Sequence, residues 1–289
     1  MKHSRATAWA LFSPWLVGFG LFGLFPFAFS LAASFTDYSP IRAGATRFVG
    51  LGNYAEALRA PEFWSALRNT GFFVIGTIPF TTAFALLLAL AVQPAFRGRT
   101  FFRLGFFLPS VVSVVVLSLV FKGLYSPHGL LSAMLGAIGI TAPAWLLDPR
   151  TALPAIMAMD VWSASGYYML IFLAGLESIP RDLYDAARLE GAGRWDCLRT
   201  ITLPLLRPTL LFVLVVNTIR SLQIFAEVFV MTRGGPLGST TTVVYYLYEQ
   251  AFHQFHLGYA SAVAYLLFLV SLALAWVQMK AVGAREGAA

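Results

Sequence analysis

About six stretches of this chain are each long and apolar enough to cross a bilayer, and no other feature constrains its fold as strongly. They run over Ala8–Phe35, Thr70–Val92, Phe101–Phe121, Leu153–Leu176, Leu203–Thr232 and Tyr259–Val282. Hydrocarbon cannot satisfy bare backbone, so runs of this length cross as helices, and the expected fold is an all-α polytopic membrane protein. Composition agrees, because 58% of the 289 residues are hydrophobic and 11% are charged. That leaves too little polar surface for a soluble domain of this size. A net charge of +7 invites a nucleic-acid reading. The basic residues, however, sit in short loops between apolar runs and form no stripe, so lipid is the expected partner and nucleic acid is not.

The distribution of Lys and Arg sets the expected orientation. One side collects Lys2, Arg5, Arg97, Arg99, Arg103, Arg181, Arg188, Arg194, Arg199, Arg207, Lys280 and Arg285. The other has Arg42, Arg47, Arg59, Arg68, Lys122, Arg150 and Arg233, spread over longer loops. The first side is therefore expected to face the cytoplasm, with both termini on that side. Lys2 and Arg5 before an apolar run, and Leu31-Ala32-Ala33 within it, resemble a signal peptide. The run is long for one and further spans follow, so an uncleaved first helix is expected. The outer stretches Asn53–Arg59 and Pro61–Arg68 read as short helices.

Chemistry-bearing clusters are sparse. The lone Cys197 rules out an intrachain disulfide. His253 and His256 share a helical face without the further ligands a metal site needs, so no metal is expected. Gly-x-x-x-x-Gly-Lys-Ser/Thr does not occur, so the chain is expected to bind no nucleotide of its own. No pairing of nucleophile and base suggests a catalytic site, so no enzyme activity is expected.

The segment between the fourth and fifth spans, about 178–204, is unlike an ordinary connector. Ser178 and Pro180 open a short helix with Asp182 and Asp185 in its first turns, where the helix dipole favours negative charge. Gly191 and Gly193 stop it, a second short helix runs to about Ile201, and Pro204 restarts the chain as the fifth span. Asp185-Ala186-Ala187, then Gly191, Ile201 and Leu203-Pro204, resemble the EAA loop of ABC import permeases, with Asp185 where that family usually has Glu. The resemblance extends through Phe48-Val-Gly-Leu-Gly-Asn-Tyr54, Asn69-Thr70, Leu108-Pro-Ser110 and Met231-Thr-Arg-Gly-Gly-Pro236, and points to the maltose-permease-like branch.

That resemblance implies an ABC type I importer permease fold over a single domain, 1–289, with its core at about 69–282. It also implies that Asp185, Ala186, Ala187, Gly191, Ile201, Leu203 and Pro204 couple to an ATPase. The implied assembly has a second homologous permease, two copies of a cytoplasmic ATP-binding subunit that hold ATP and Mg, and an extracytoplasmic solute-binding protein. The implied cargo is a mono- or oligosaccharide. A glycerol-phosphate-type solute is an alternative, because Arg220 suits phosphate. A stand-alone ion-coupled transporter is a second alternative, because Asp160 and Glu227 are candidates for an ion route.

Charged residues inside spans usually face a cavity or a partner. Asp160, Ala164 and Tyr167 share a face of the fourth span; Arg220, Gln223 and Glu227 share one of the fifth, with Arg220 and Glu227 about 10 Å apart along a straight helix. Carboxylate, amide and guanidinium groups suit sugar hydroxyls, and Trp162 or Tyr167 suits an apolar sugar face. By the resemblance, Asp160, Ala164, Tyr167, Ile219, Arg220 and Gln223 occupy solute-contacting levels. Two readings stand side by side: these charges line a solute path, or Asp160, Arg220 and Glu227 form structural ion pairs.

Overall fold

The computed structural model of the protein describes residues 5–42, 44, 46–94 and 96–283. Among them the regular structure is helical, apart from one isolated antiparallel bridge between Thr36 and Phe48. Among the described residues five helices are long and apolar enough to span a membrane, and a bent helix pair would make a sixth span if it crosses as one. The first is α1 (Leu11–Ser34), followed by the short α2 (Gly52–Arg59) and then α3 (Pro61–Val92). The stretch 61–68 is thus no separate helix. It forms the first two turns of α3, with Pro61 at the helix start, where a missing N–H costs nothing.

The third apolar run departs most from expectation. It forms α4 (Arg99–Val111) and α5 (Val114–Leu124), bent by 96° to one another. Pro109 removes a backbone donor and crowds the preceding turn of α4; Val112 and Ser113 then turn extended, with ψ of 139° and 130°. After α6 (Leu130–Ala137) comes the fourth span, α7 (Ala152–Glu177). Next are the two connector helices, α8 (Arg181–Leu189) and α9 (Arg194–Cys197).

The fifth span is also interrupted: α10 (Arg207–Leu222) and α11 (Ala226–Met231) flank non-helical residues 223–225. The Thr242 hydroxyl donates to the Ile224 carbonyl at 3.1 Å, supplying a partner that the helix no longer provides. The last elements are α12 (Val243–Tyr248) and the final span, α13 (Leu257–Gly283).

The described residues fall into two compact units. One comprises residues up to Trp64 together with Tyr246–Phe268. Within it Asn53 Nδ2 donates to the Ser34 and Thr36 carbonyls, each at 2.8 Å, which ties α2 to the end of α1. Tyr265 donates to the Phe27 carbonyl at 2.7 Å. Gly258 lets the backbone at Thr36 approach so closely that any Cβ there would collide with its carbonyl.

The second unit comprises Ser65–Tyr245 and the residues from Leu269 onward. Here α7 is the central element. Tyr168, Met169 and Phe172 pack with Ala85 and Ala89 of α3 and Val213 of α10. Ile156 and Met159 pack with Phe73, Ile224 and Val228. Small residues permit the approach: a Cβ on Gly166 would fall on the Phe106 carbonyl of α4, and one on Gly175 would stand 2.6 Å from Thr209 Oγ1. Asn69 Nδ2 donates to the carbonyls of Gly238 and Thr241, at 2.9 and 3.0 Å. The Asn69-Thr70 pair and the glycine-rich stretch after Met231, far apart in sequence, are therefore one joint.

Candidate functional site

The two helix interruptions make a cavity. Extended backbone at Val112 and the non-helical turn at 223–225 both open onto a space of about 800 Å³ walled by α4, α5, α7, α10 and α11. Non-helical backbone is tolerated within a membrane where it lines such a space. Ala164 and Tyr167 of α7 line it, as do Ile219, Arg220 and Gln223 of the fifth span. Asp160, the sixth residue proposed from sequence, is not among the lining residues. It stands behind them, 3% exposed, with Oδ1 2.8 Å from Arg220 Nη2. Trp162 is not among the lining residues either; its ring packs against Phe121 at 5.5 Å.

Arg220 bridges two carboxylates. Glu227 Oε1 stands 3.9 Å from the same Nη2, although a straight helix would hold the two residues about 10 Å apart along its axis. The interruption at 223–225 replaces that straight helix. Arg220 is a cavity wall and a member of an ion pair at once. The Tyr168 hydroxyl lies beside this guanidinium, buried and without a hydrogen bond of regular geometry.

Sequence reasoning missed Pro109, Ser110, Val112 and Phe225, all of them cavity walls. The signal that could have found the first three is the cluster Pro109-Ser110 and Ser113 inside an apolar run, where a breaker and two backbone-competing hydroxyls coincide; nothing comparable marks Phe225.

The connector between α7 and α10 is a second candidate. The α8 helix ends in a hydrogen-bonded cap, with the Gly191 N–H donating to Arg188 O at 3.0 Å and the Ala192 N–H to Ala187 O at 2.9 Å. This double closure requires a left-handed residue, and Gly191 supplies it at φ +83°. Gly193 does a different job: it caps α9, its N–H donating to Asp196 Oδ2 at 2.9 Å. The Tyr184 and Thr202 hydroxyls lie 2.9 Å apart, and Ile201 packs against the inner core, so this side anchors the hairpin. Asp185, Ala186 and Gly191 are exposed, Ala187 and Pro204 are half-buried, and Leu203 faces out. Asp185 pairs with Arg188 at 3.4 Å. Leu183, Leu189 and Trp195 add exposed apolar surface on the same hairpin.

The architecture is thus several candidate membrane spans, a cavity with mixed polar and apolar walls, and a structured helical connector. The sequence profile of the binding-protein-dependent transport system inner membrane components matches residues 82–282, and the chain belongs to that family. It is 35% identical to the lactose transport system permease protein LacF of Rhizobium radiobacter, over 99% of this chain and 97% of that one. It is 34% identical to the probable ABC transporter permease protein YesP of Bacillus subtilis, over 93% and 90% of the two chains. The trehalose/maltose transport system permease protein MalF of Thermococcus litoralis is 35% identical over 81% of this chain and 79% of that one. Among solved structures, a chain of a bacterial ABC transporter involved in the import of the acidic polysaccharide alginate superposes with a TM-score of 0.82 at 23% identity, over 94% of this chain and 93% of that one. It has the same fold.

Proposed function

We propose that this permease is one half of the membrane path of an ABC importer for a mono- or oligosaccharide. A second homologous permease completes the path, and the solute is delivered by an extracytoplasmic binding protein. The observation that carries this reading is the cavity. Its volume of about 800 Å³ lies within the ~300–1,000 Å³ typical of small-molecule sites. Its walls mix the Arg220 and Gln223 donors with the Tyr167 ring and aliphatic surface, which suits hydroxyls on one side of a sugar and C–H groups on the other. The lactose and trehalose/maltose systems named for its relatives support the same solute class.

Transport runs by alternating access, the cavity opening first to the binding protein and then to the cytoplasm. The energy comes from two ATPase subunits that hold ATP and Mg, this chain contributing no cofactor and no catalysis. Their dock is the hairpin 178–204, where Leu183, Leu189 and Trp195 offer apolar anchors beside Asp185 and the thin Ala186-Ala187 face. The positive-inside distribution of Lys and Arg supports a cytoplasmic position for this hairpin and both termini.

Affinity purification of the chain from its native membrane in mild detergent, followed by uptake in proteoliposomes, tests the reading. The expected result is a second permease and an ATP-binding subunit in the preparation, with uptake of sugar only when ATP and binding protein are supplied. A chain that came alone and carried solute without ATP would overturn it.

A further inference from the structure

A guanidinium inside a membrane cavity ordinarily serves as a receptor for carboxylate, phosphate or sulfonate. Arg220 is the one cation among the residues lining this cavity, and its surroundings take that role away. Its Nη2 lies 2.8 Å from Asp160 Oδ1 and 3.9 Å from Glu227 Oε1. The two carboxylates are 3% and 6% exposed, so neither is relieved by water, and Arg220 is the compensating charge for both. With both ionised the triad sums to −1, and with one protonated it sums to zero. A net positive site would require two protonated carboxyls packed on one guanidinium, an arrangement that discards the Coulomb gain of both pairs. An acidic solute would therefore exchange its hydration for a site that is neutral or negative, a costly transfer in a low-dielectric wall.

The same geometry leaves hydroxyl-directed groups in place. Arg220 keeps 42% of its side chain exposed, and only Nη2 is committed to the carboxylates. Arg220 and Glu227 both line the cavity, so a donor and an acceptor residue share one wall. A hydroxyl both donates and accepts, so a donor and an acceptor side by side match it where a bare anion matches only the donor.

We propose that Asp160 and Glu227 convert Arg220 from an anion receptor into half of a hydroxyl clamp, so that the cavity takes neutral, hydroxyl-rich solutes and rejects acidic ones such as uronates, sugar phosphates and sulfonated sugars. This rests on the cavity being the solute path. The fold itself sets no such rule, since a chain of the same fold belongs to an importer of an acidic polysaccharide.

The test probes the potential of the cavity in the assembled importer in proteoliposomes. Cys197→Ser removes the native thiol, and Ile219→Cys places a new one on the cavity wall; Leu237→Cys, at a position 96% exposed, is the reference. Each is modified with a cationic and an anionic methanethiosulfonate reagent of similar size. Relative to the reference, the cationic-to-anionic rate ratio at 219 is expected to be raised about tenfold, and Glu227→Gln is expected to lower it several-fold. A ratio favouring the anionic reagent overturns the proposal, as does a raised ratio that Glu227→Gln leaves unchanged. If Glu227→Gln prevents assembly, protection of position 219 decides: a neutral disaccharide should slow modification and its uronate counterpart should not, and equal protection by both overturns the proposal. Failure of the path reading looks different, because then no saccharide of either kind slows modification while the rate ratio is still measurable.

Discussion

The helices α1 and α7 are both apolar and both span length, yet they are opposite in character. Mean hydropathy is 2.0 in α1 and 1.3 in α7, while the buried share of the same windows is 6% and 61%. The less hydrophobic helix is the more buried one. In water this would be paradoxical, but lipid tails are as apolar as leucine and exert no pull against a greasy surface. What draws a helix inward is small residues that admit close backbone approach, and polar groups that need partners. Helix α7 has Ser163, Ala164, Ser165 and Gly166 in one turn and Asp160 just before it; α1 has Phe, Leu and Trp over most of its surface.

The largest test of that contrast is a pair of glycines. A side chain at Gly166 meets the Phe106 backbone, whereas one at Gly20 meets nothing within 4 Å. Gly166→Leu is expected to cost about 3 kcal/mol or more and to lose the folded chain, while Gly20→Leu should change stability by no more than about 0.5 kcal/mol. Fluorescence size-exclusion with a thermal ramp measures both, and equal sensitivity would break the comparison. Phenylalanines give the next step. Phe172 of α7 is wholly buried and Phe22 of α1 is 84% exposed. Phe172→Ala should cost about 3–5 kcal/mol, and Phe22→Ala under about 1 kcal/mol.

Hydropathy reads the spans well because the bilayer demands length and greasiness and nothing else can supply them. It reads their ends poorly. Helix α3 begins nine residues before the apolar run because Glu62, Arg68 and Asn69 continue the helix outside hydrocarbon. It does not read interruptions at all: Val112 and Ser113 carry a 96° bend in residues as apolar or as small as their neighbours. The cavity followed the same pattern. Arg220, Glu227 and Asp160 stood out as charges within spans, but only the break at 223–225 decides that Arg220 reaches both carboxylates. Val112, Ile224 and Phe225 join the wall through interrupted backbone that leaves no charge to notice. The hairpin was the most legible part, since Pro180, Gly191 and Pro204 each dictate backbone wherever they occur.

The ion triad sharpens the contrast at intermediate size. Arg220→Gln leaves Asp160 buried without its cation, and removing one partner of a fully buried pair costs about 3–5 kcal/mol. The Arg220 side chain is 42% exposed, so solvent screening reduces the expected loss to about 1–2 kcal/mol. Uptake should fall while assembly survives. The triple variant Asp160→Asn, Arg220→Gln and Glu227→Gln, which leaves neither carboxylate buried without its cation, should recover most of the stability and none of the uptake. Recovery of uptake would remove the charged pair from the transport path.

The smallest effect qualifies the rule that burial decides tolerance. Gly191 and Gly193 are both exposed and lie two residues apart, so α1 would lead one to expect that both accept a side chain. Their backbones differ: Gly191 sits at φ +83°, a conformation that L-residues enter at a cost of about 1 kcal/mol, while Gly193 sits at φ −76° with only the Asp196 carboxylate within 4 Å of a new Cβ. Gly191→Ala should therefore lower the protection of the Gly191 and Ala192 amides in hydrogen exchange, and Gly193→Ala should leave it within about 0.5 kcal/mol of the parent. Gly191→Asp adds a charge on the exposed face of the hairpin, and less ATP-binding subunit should co-purify with it. Equal protection in the two alanine variants would mean that exposure alone sets tolerance here, as it does along α1. A selective loss at Gly191 would show that an exposed residue is held by backbone geometry where the chain must present a fixed surface.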